Sequence, residues 1–358
     1  MNSFRPDCHP ILIGSLPVSD HQEAVDMVMQ ATPRVPVWPQ LPVYPQEGMV
    51  PQFAPGMPGL KQEDERVYVD LGGDAFETEL AAFYEEYLAV TELSAPVETS
   101  RFQLGEAYAG GFYELKARVP AMDPAPVALK GQVTGPITFG MGLKDHQGRA
   151  VFYDANARDA AVKLLALKAV YQVRAFKDYG CPVIIFLDEP ALAGYGSSEM
   201  ISISADEIAA SLGEINDAIH NEGALAGIHV CANTDWGLIL GTRVDIVNFD
   251  TYSYFDRFLL YGEQIKTFVT QGGIIAWGLV PTGSAEALEA ATVESLVRQW
   301  EEQCRQLTAL GIDRDQLLSQ SLISPSCGVG SLSLAQASKV LELTREVSAH
   351  IRGALTDR

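Results

Sequence analysis

A histidine and a cysteine stand two positions apart where one predicted strand ends, as His229-Val230-Cys231. Because side chains alternate across a strand, the imidazole and the thiol point to the same face. A second thiol, Cys327, ends another predicted strand, and the carboxylate of Asp250 ends a third. Strands of a parallel barrel end at one rim, so these side chains are expected to converge.

This combination of one imidazole, two thiols and a carboxylate suits the coordination chemistry of Zn²⁺. Zinc prefers tetrahedral sets of nitrogen and sulfur ligands, and three protein ligands leave a position for substrate. The alternative is that the histidine and both cysteines are ordinary buried residues, as single cysteines and histidines usually are. Position alone leaves both interpretations open.

Short apolar runs with β-strand character alternate with amphipathic helical stretches along the chain. Eight such runs lie at 11–17, 35–41, 127–133, 183–189, 224–230, 245–250, 274–280 and 321–327. This alternation is typical of repeated β-α units around a parallel sheet, and eight strands predict a closed (β/α)₈ barrel, the TIM-barrel fold. Active sites of such barrels lie where strands end and βα loops begin, which is where the candidate ligands stand.

The helical stretches that would surround the barrel include 204–223, which begins with Ser204 as a candidate N-cap. The stretch 42–126 is too long for one crossover and contains an amphipathic helical pattern at 76–90. We therefore predict an insertion that lies over one end of the barrel. No repeat, low-complexity tract or linker marks a second domain, so residues 1–358 are predicted to form one domain.

The charge balance argues against polyanionic partners. The 358 residues include 46 Asp and Glu against 25 Lys and Arg, a formal net charge of −21 that would repel nucleic acid and anionic lipid. No run approaches the roughly 18 apolar residues of a membrane span, and no signal-peptide core begins the chain. The five scattered cysteines do not resemble a secreted disulfide framework. A cytoplasmic protein with reduced thiols is expected.

Five motifs, in order along nearly the whole chain, resemble those of a known family. They are Ile13-Gly14-Ser15, Thr134-Gly135-Pro136, Asp188-Glu189-Pro190-Ala191-Leu192, His229-Val230-Cys231 and Ser326-Cys327-Gly328. The chain resembles the catalytic half of cobalamin-independent methionine synthase, within a wider group that includes uroporphyrinogen decarboxylase and corrinoid-dependent thiol methyltransferases. The resemblance implies a zinc site made by His229, Cys231, Asp250 and Cys327. The family has Glu where this chain has Asp250.

The resemblance also implies which residues contact the substrate. In the family, the Ile-Gly-Ser segment and the Asp of the Asp-Glu-Pro motif hold the amino-acid part of homocysteine, which implies Ile13, Gly14, Ser15 and Asp188. Gln40 stands where the family has a further carboxylate that contacts the substrate amine. The chain looks more like the short, single-barrel relatives than like the full synthase, and for those relatives a methyl-corrinoid protein is the implied methyl donor.

The sequence thus predicts a zinc-dependent methyltransferase that transfers a methyl group to a small thiol. Homocysteine is the first candidate for that thiol. Asp188 is expected to orient that thiol, so that a bimolecular encounter becomes a positioned one. Three alternatives remain open at this point: transfer to another thiol such as coenzyme M, tetrapyrrole chemistry of the decarboxylase type, and a zinc- or corrinoid-binding accessory protein without turnover.

Overall fold

The computed structural model describes residues 4–63, 66–197, 200 and 202–356. Within these residues the strands are β1 (His9–Pro10), β2 (Leu60–Glu63), β3 (Arg66–Val69), β4 (Leu129–Thr134), β5 (Val183–Asp188), β6 (Leu225–Val230), β7 (Ile246–Phe249), β8 (Ile274–Val280) and β9 (Ser321–Pro325). The α-helices are α1 (His21–Ala31), α2 (Gly73–Thr91), α3 (Gly110–Arg118), α4 (Pro136–Gly142), α5 (Ala155–Lys177), α6 (Ala205–Asn221), α7 (Trp236–Leu240), α8 (Thr251–Phe258), α9 (Gly262–Thr270), α10 (Ala285–Ala290), α11 (Val293–Ala309), α12 (Arg314–Ser319) and α13 (Leu334–Thr356).

Seven strands of the described residues form one parallel sheet, which curls into a half-barrel. Its order is β1-β9-β8-β7-β6-β5-β4, so the strands from β4 to β9 are neighbours in chain order. The six predicted runs between 127 and 327 are therefore confirmed as β4 to β9. These strands are buried almost throughout, as expected where helices cover one face of a parallel sheet and the strands enclose the other.

The first predicted run, 11–17, is displaced in the structure. Regular β1 ends at Pro10 and pairs with β9. Gly14 then adopts a φ of +152°, and a Cβ at this position would lie 3.0 Å from Oε1 of Gln40. A conformation that glycine adopts most easily thus takes the chain out of the ladder, and Ser15 returns to Gln40 through a single parallel bridge.

The second predicted run, 35–41, is not a regular strand. Val37 pairs with Lys130 of β4 through one bridge, and the N–H of Lys130 donates to the Pro36 carbonyl at 2.9 Å. Because Pro36 and Pro39 have no N–H group, the segment cannot make a continuous ladder. The prediction of eight regular strands is therefore not confirmed within the described residues.

The helices bear out the predicted alternation. The stretch predicted at 204–223 is α6, and Ser204 forms a capping box with Glu207 at its start. Here the N–H of Glu207 donates to Ser204 Oγ at 3.2 Å, and the N–H of Ser204 donates to a Glu207 carboxylate oxygen at 3.0 Å. The pattern at 76–90 is α2. No helix in the described part of the chain is both long and apolar enough to cross a membrane.

The region 42–126 contacts the rest of the protein through its helices and at the carboxyl end of the sheet. Helix α2 packs against α5, and α3 packs against α1, outside the sheet. At the carboxyl end of β4, the Thr134 hydroxyl donates to the Met49 carbonyl at 2.6 Å. Because these contacts lie both outside the sheet and at its carboxyl end, the predicted insertion over one end of the barrel is not confirmed.

Inward-facing residues change character along the strands. Their lower layer is an apolar cluster that includes Ile184, Phe186, Ile246, Ala276 and Leu322. Since side chains alternate, the same faces continue towards the carboxyl ends with the polar residues Asp188, Asn248 and Ser324. The apolar layer supports a polar layer above it, and the candidate site is built on that polar layer.

Candidate functional site

His229, Cys231 and Cys327 come together at the carboxyl ends of β6 and β9. A ring nitrogen of His229 and the Sγ atoms of the two cysteines all lie within 4.8 Å of one another. His229 is the penultimate residue of β6 and is buried, whereas Cys231 and Cys327 follow their strands and are partly exposed. The structure therefore assembles three of the four predicted ligands into one cluster.

The hydrogen bonding of His229 fits the needs of a metal ion. Its Nδ1 lies 2.6 Å from Oδ1 of the Asn248 side chain, while its Nε2 is buried and has no hydrogen-bond partner. Burial lowers the pKa of His229 to about 4, so the ring is neutral at physiological pH. A buried nitrogen left without a partner is costly unless a ligand completes it.

The two thiols shift each other's pKa in opposite directions. A hydrogen bond from the Cys327 thiol lowers the pKa of Cys231 to about 7, despite the opposing effect of burial. The same contact, together with burial, raises the pKa of Cys327. One nitrogen and two sulfurs form a soft donor set, which suits Zn²⁺ better than Mg²⁺ or Ca²⁺.

Asp250, the fourth predicted ligand, lies beside this cluster as the N-cap of α8. Its Oδ1 accepts the N–H of Ser253 at 2.8 Å. Its charge opposes, without reversing, the lowering of the Cys231 pKa, and no carboxylate of the described residues joins the cluster at the same 4.8 Å separation. Asp250 as a zinc ligand therefore stays a prediction.

A cavity of about 760 Å³ opens above the cluster. It is lined by the predicted residues Ile13, Ser15, Gln40, Asp188, His229, Cys231 and Cys327, and by Pro17, Pro42, Val43, Met49, Pro190, Gly328, Gly330 and Ser331. Gly14 does not line this cavity, and its carbonyl accepts the N–H of Gln40 at 3.0 Å. Among the residues that the structure describes, no lysine or arginine lines the cavity, and the acidic groups that face a ligand there are Asp188 and the two thiols.

Glycines in the loop after β9 allow it to approach the loop after β1 closely. The N–H of Gly330 donates to Ser15 Oγ at 3.2 Å. A Cβ added at Gly328 would lie 2.2 Å from the same hydroxyl oxygen, so only glycine fits there without a shift. The Ser-Cys-Gly motif thus carries Cys327 and also makes room for Ser15.

Asp188 is the last residue of β5, and one of its carboxylate oxygens has no hydrogen-bond partner among the described residues. This atom, Oδ1, is buried and makes no hydrogen bond. Burial raises the pKa of Asp188 to about 7, against the effect of the nearby Lys130 ammonium. An unpaired acceptor in a buried wall of the cavity is ready to accept a hydrogen bond from a ligand.

Lys130, on β4, is a buried charge that sequence reasoning missed. It has no exposed surface, its ammonium donates to the Ile13 carbonyl at 2.8 Å, and it lies 4.4 Å from the centre of the Phe186 ring. Burial lowers the pKa of Lys130 to about 8, while Asp188 favours its charged form. The only sequence signal was a lysine within a predicted strand.

Glu189 is a second missed residue, and it fixes the turn that carries Asp188. Its buried carboxylate accepts the N–H groups of Ile137 and Thr138, at 2.8 and 2.9 Å, and the Thr138 hydroxyl at 2.7 Å. These bonds attach the end of β5 to the first turn of α4, where the partial positive charge of a helix N-terminus favours a carboxylate. The signal was present as a Glu within the Asp-Glu-Pro motif.

Gln40 is buried, and its amide is already engaged. Its Nε2 donates to Gln52 Oε1 at 2.5 Å, and Gln52 Nε2 donates in turn to the Tyr108 carbonyl at 2.7 Å. The cavity wall at this position is therefore held by the region 42–126 and carries no charge.

Comparisons with known proteins give structural likeness alone. No protein-family model and no curated protein matches the chain. A methyltransferase from Methanosarcina mazei is similar in structure, with a TM-score of 0.53 and 12% identity over 91% of this chain and 84% of that one. A B12-independent methionine synthase from Shewanella sp. W3-18-1, solved with selenomethionine, gives a TM-score of 0.44 and 18% identity over 64% of each chain. This chain therefore spans less than two thirds of that synthase, and it shares the fold of the Methanosarcina methyltransferase.

Proposed function

We propose that this protein is a zinc-dependent methyltransferase that transfers a methyl group to a small thiol, with homocysteine as the leading acceptor. The observation that carries the proposal is the cluster of His229, Cys231 and Cys327 at the floor of a cavity of about 760 Å³. Thiolate-rich zinc sites are suited to activating a second sulfur, and the similar fold of a methyltransferase supports the same reaction class.

For the fold, we propose a (β/α)₈ barrel in which the segment 35–41 takes the place of the eighth strand. Residues 1–358 would form one domain. Support for the barrel comes from the single bridges of this segment towards both edges of the sheet, at Val37 and at Gln40. Helix α13 also packs against β1, and the Ser348 hydroxyl donates to the Cys8 carbonyl at 2.7 Å. The free thiols favour a reducing compartment, so the cytoplasm is part of the proposal.

His229 Nε2 and the two thiolates would hold the zinc ion, with Asp250 as the candidate fourth ligand. Once bound, zinc would supply the positive charge that allows an acceptor thiol to lose its proton near neutral pH. The two cysteinates keep the site rich in electrons. Asp250, already bound to Ser253, would be the weakest of the four and the easiest for substrate to displace.

The acceptor would be oriented by residues that already face the cavity. The free Oδ1 of Asp188 accepts a hydrogen bond from the acceptor's ammonium group, and the Ser15 hydroxyl with the Ile13 segment contacts its carboxylate. Lys130 holds the Ile13 carbonyl from below. The acceptor sulfur then bonds to the methyl carbon as the bond between that carbon and the donor breaks, and the broken bond's electron pair leaves with the donor.

The methyl donor we propose is a methyl-corrinoid protein. The cavity lies within the range of about 300–1,000 Å³ that holds drug-sized ligands, so it exceeds the needs of a small thiol. The described residues of its lining include no lysine or arginine to bind a polyanionic tail, and its rim includes Pro42, Val43 and Met49. The same lack of cations disfavours coenzyme M, whose sulfonate would find no partner.

Zinc analysis combined with a turnover assay tests the proposal. Purified protein should contain zinc and should form methionine from methylcobalamin and homocysteine, detected by mass spectrometry. Zinc binding without any thioether product would favour an accessory role instead. Protein that takes up no zinc and forms no thioether would exclude the methyltransferase proposal and leave the decarboxylase-type chemistry as the next candidate.

A further inference from the structure

Asn248 occupies the centre of the polar layer beneath the cluster. It lies on β7, has no exposed surface, and its side chain reaches residues of three other strands. Its oxygen lies 2.6 Å from Nδ1 of His229 on β6. Its nitrogen donates to the Ala276 carbonyl of β8 at 2.8 Å and to Ser324 Oγ of β9 at 2.7 Å.

These partners determine which way the amide of Asn248 points. A main-chain carbonyl only accepts hydrogen bonds, so the group that faces Ala276 must be the NH₂ of the amide. The amide oxygen therefore faces His229, and since that oxygen is an acceptor, Nδ1 must carry the proton of the neutral ring. The lone pair is then on Nε2, the atom that has no partner.

We propose that Asn248 is the positioning residue of this metal centre: it fixes the tautomer and orientation of His229 and ties β6 to β9, the strands from which Cys231 and Cys327 emerge. The inference rests on the proposed metal site and extends it to a residue that touches neither ion nor substrate. A hydrogen bond to the second ring nitrogen orients a histidine ligand and raises its basicity. Here one amide performs that role and also links four adjacent strands.

A purely structural role for Asn248 would predict a different response of the site to substitution. If Asn248 only filled space, leucine, which has a similar volume and no polar atoms, would leave the site intact. If its oxygen matters, aspartate should preserve the tautomer, because a carboxylate also accepts from Nδ1–H. Asparagine and aspartate would then behave alike at His229, and leucine would differ from both.

The first test uses unmodified, metal-free protein and requires no turnover. Nitrogen-15 NMR of the histidine side chains, with His229 assigned by a His229→Gln variant, should show the proton on Nδ1 and the lone pair on Nε2. The opposite tautomer would overturn the proposal, whether or not the protein proves to be a methyltransferase. Loss of thioether formation with this tautomer intact would instead count against the proposed function alone.

The second test compares zinc affinities in competition with a chelator. Asn248→Leu should bind zinc about 10- to 100-fold more weakly, the usual effect of removing such a partner. Asn248→Asp keeps the acceptor for Nδ1–H but loses the N–H donors to Ala276 and Ser324, so its zinc affinity should lie between those of Asn248→Leu and the native protein. Asn216→Leu is the matched control, since Asn216 is equally buried but lies on α6 away from the cluster. Native affinity in Asn248→Leu, or equal losses in all three variants, would overturn the proposal.

Discussion

The Sγ atom of Cys231 lies within 4.8 Å of the Sγ atom of Cys327. The residues emerge from β6 and β9, which are separated in the sheet by β7 and β8. Curling of the sheet brings the two strand ends together above the apolar layer. The thiol pair is therefore a product of the fold, and its chemistry can be tested independently of any substrate.

Replacing either thiol of this pair should remove the metal. Native protein is expected to hold about one zinc ion per chain, and Cys231→Ser and Cys327→Ser should each lose most of it, because a hydroxyl is a much poorer zinc ligand than a thiolate. Cys304→Ser is the control, since that thiol is buried in α11. Elemental analysis after gel filtration measures the content. Equal loss in all three variants would contradict the assignment.

Metal removal should make the same pair sensitive to oxidation. In metal-free protein a mild thiol oxidant should form a Cys231–Cys327 disulfide, because the Cys231 pKa of about 7 provides thiolate at neutral pH beside its partner. Peptide mapping by mass spectrometry identifies the linkage, and zinc should protect against it. Cys8, which is fully buried, provides the internal control. A linkage that involves Cys8 would show that the reaction reports unfolding instead.

The strands and the three clustered ligands could be predicted because their signals are local. Alternation within a strand places His229 and Cys231 on one face, and the rule that parallel strands end at one rim adds Cys327. The capping box at Ser204 is equally local, since it depends on spacing within one turn. Each of these predictions needed only a few neighbouring residues and the direction of the strands.

The remaining features depend on contacts between distant parts of the chain. Asn248 matters through His229, Ala276 and Ser324, which lie on three other strands, and nothing beside it in sequence indicates this. The role of Lys130 likewise depends on its hydrogen bond to the Ile13 carbonyl, which is 117 positions away in the sequence. The absence of a regular strand at 35–41 could have been predicted more easily, because its prolines are visible in the sequence and proline disrupts a strand ladder.

Substitutions of Asp250 can separate its role as the N-cap of α8 from a role in metal binding. Asp250→Ala should lower the free energy of unfolding by about 1 kcal/mol, the usual cost of losing an N-cap side chain, because the N–H of Ser253 loses its acceptor. Zinc affinity should fall only a few-fold, since His229, Cys231 and Cys327 retain the ion. Urea unfolding and chelator competition measure the two effects.

The Asp250→Asn variant distinguishes the capping role of Asp250 from its metal-binding role. Asparagine is an equally good N-cap residue, so Asp250→Asn should restore the unfolding free energy of the native protein. Its amide oxygen is a weaker ligand than a carboxylate, so its zinc affinity should match that of the alanine variant. Complete loss of zinc in a variant of native stability would show that the carboxylate is an indispensable ligand.

Lys168, on α5, should make the protein less stable at neutral pH than an apolar residue would. It is 1% exposed, and its ammonium donates to the Gln103 carbonyl at 3.0 Å. Burial lowers its pKa to about 7, so between pH 7 and its ordinary value of 10.5 the unfolded chain holds a proton that the folded protein lacks. Stability contributed by this group therefore rises with pH across that window.

Lys168→Met is thus expected to raise the free energy of unfolding by about 1–3 kcal/mol at pH 6, after allowance for the lost hydrogen bond. The gain should shrink by about 2 kcal/mol at pH 9, where the native lysine is largely neutral in the folded state. Lys163→Met provides the control on the same helix. Burial lowers the pKa of Lys163, but hydrogen bonds to Asp159 and Glu214 raise it more, so its charge is stabilised. Its loss should destabilise the protein at both pH values, and urea unfolding at pH 6 that gave both variants the same sign would refute this account of Lys168.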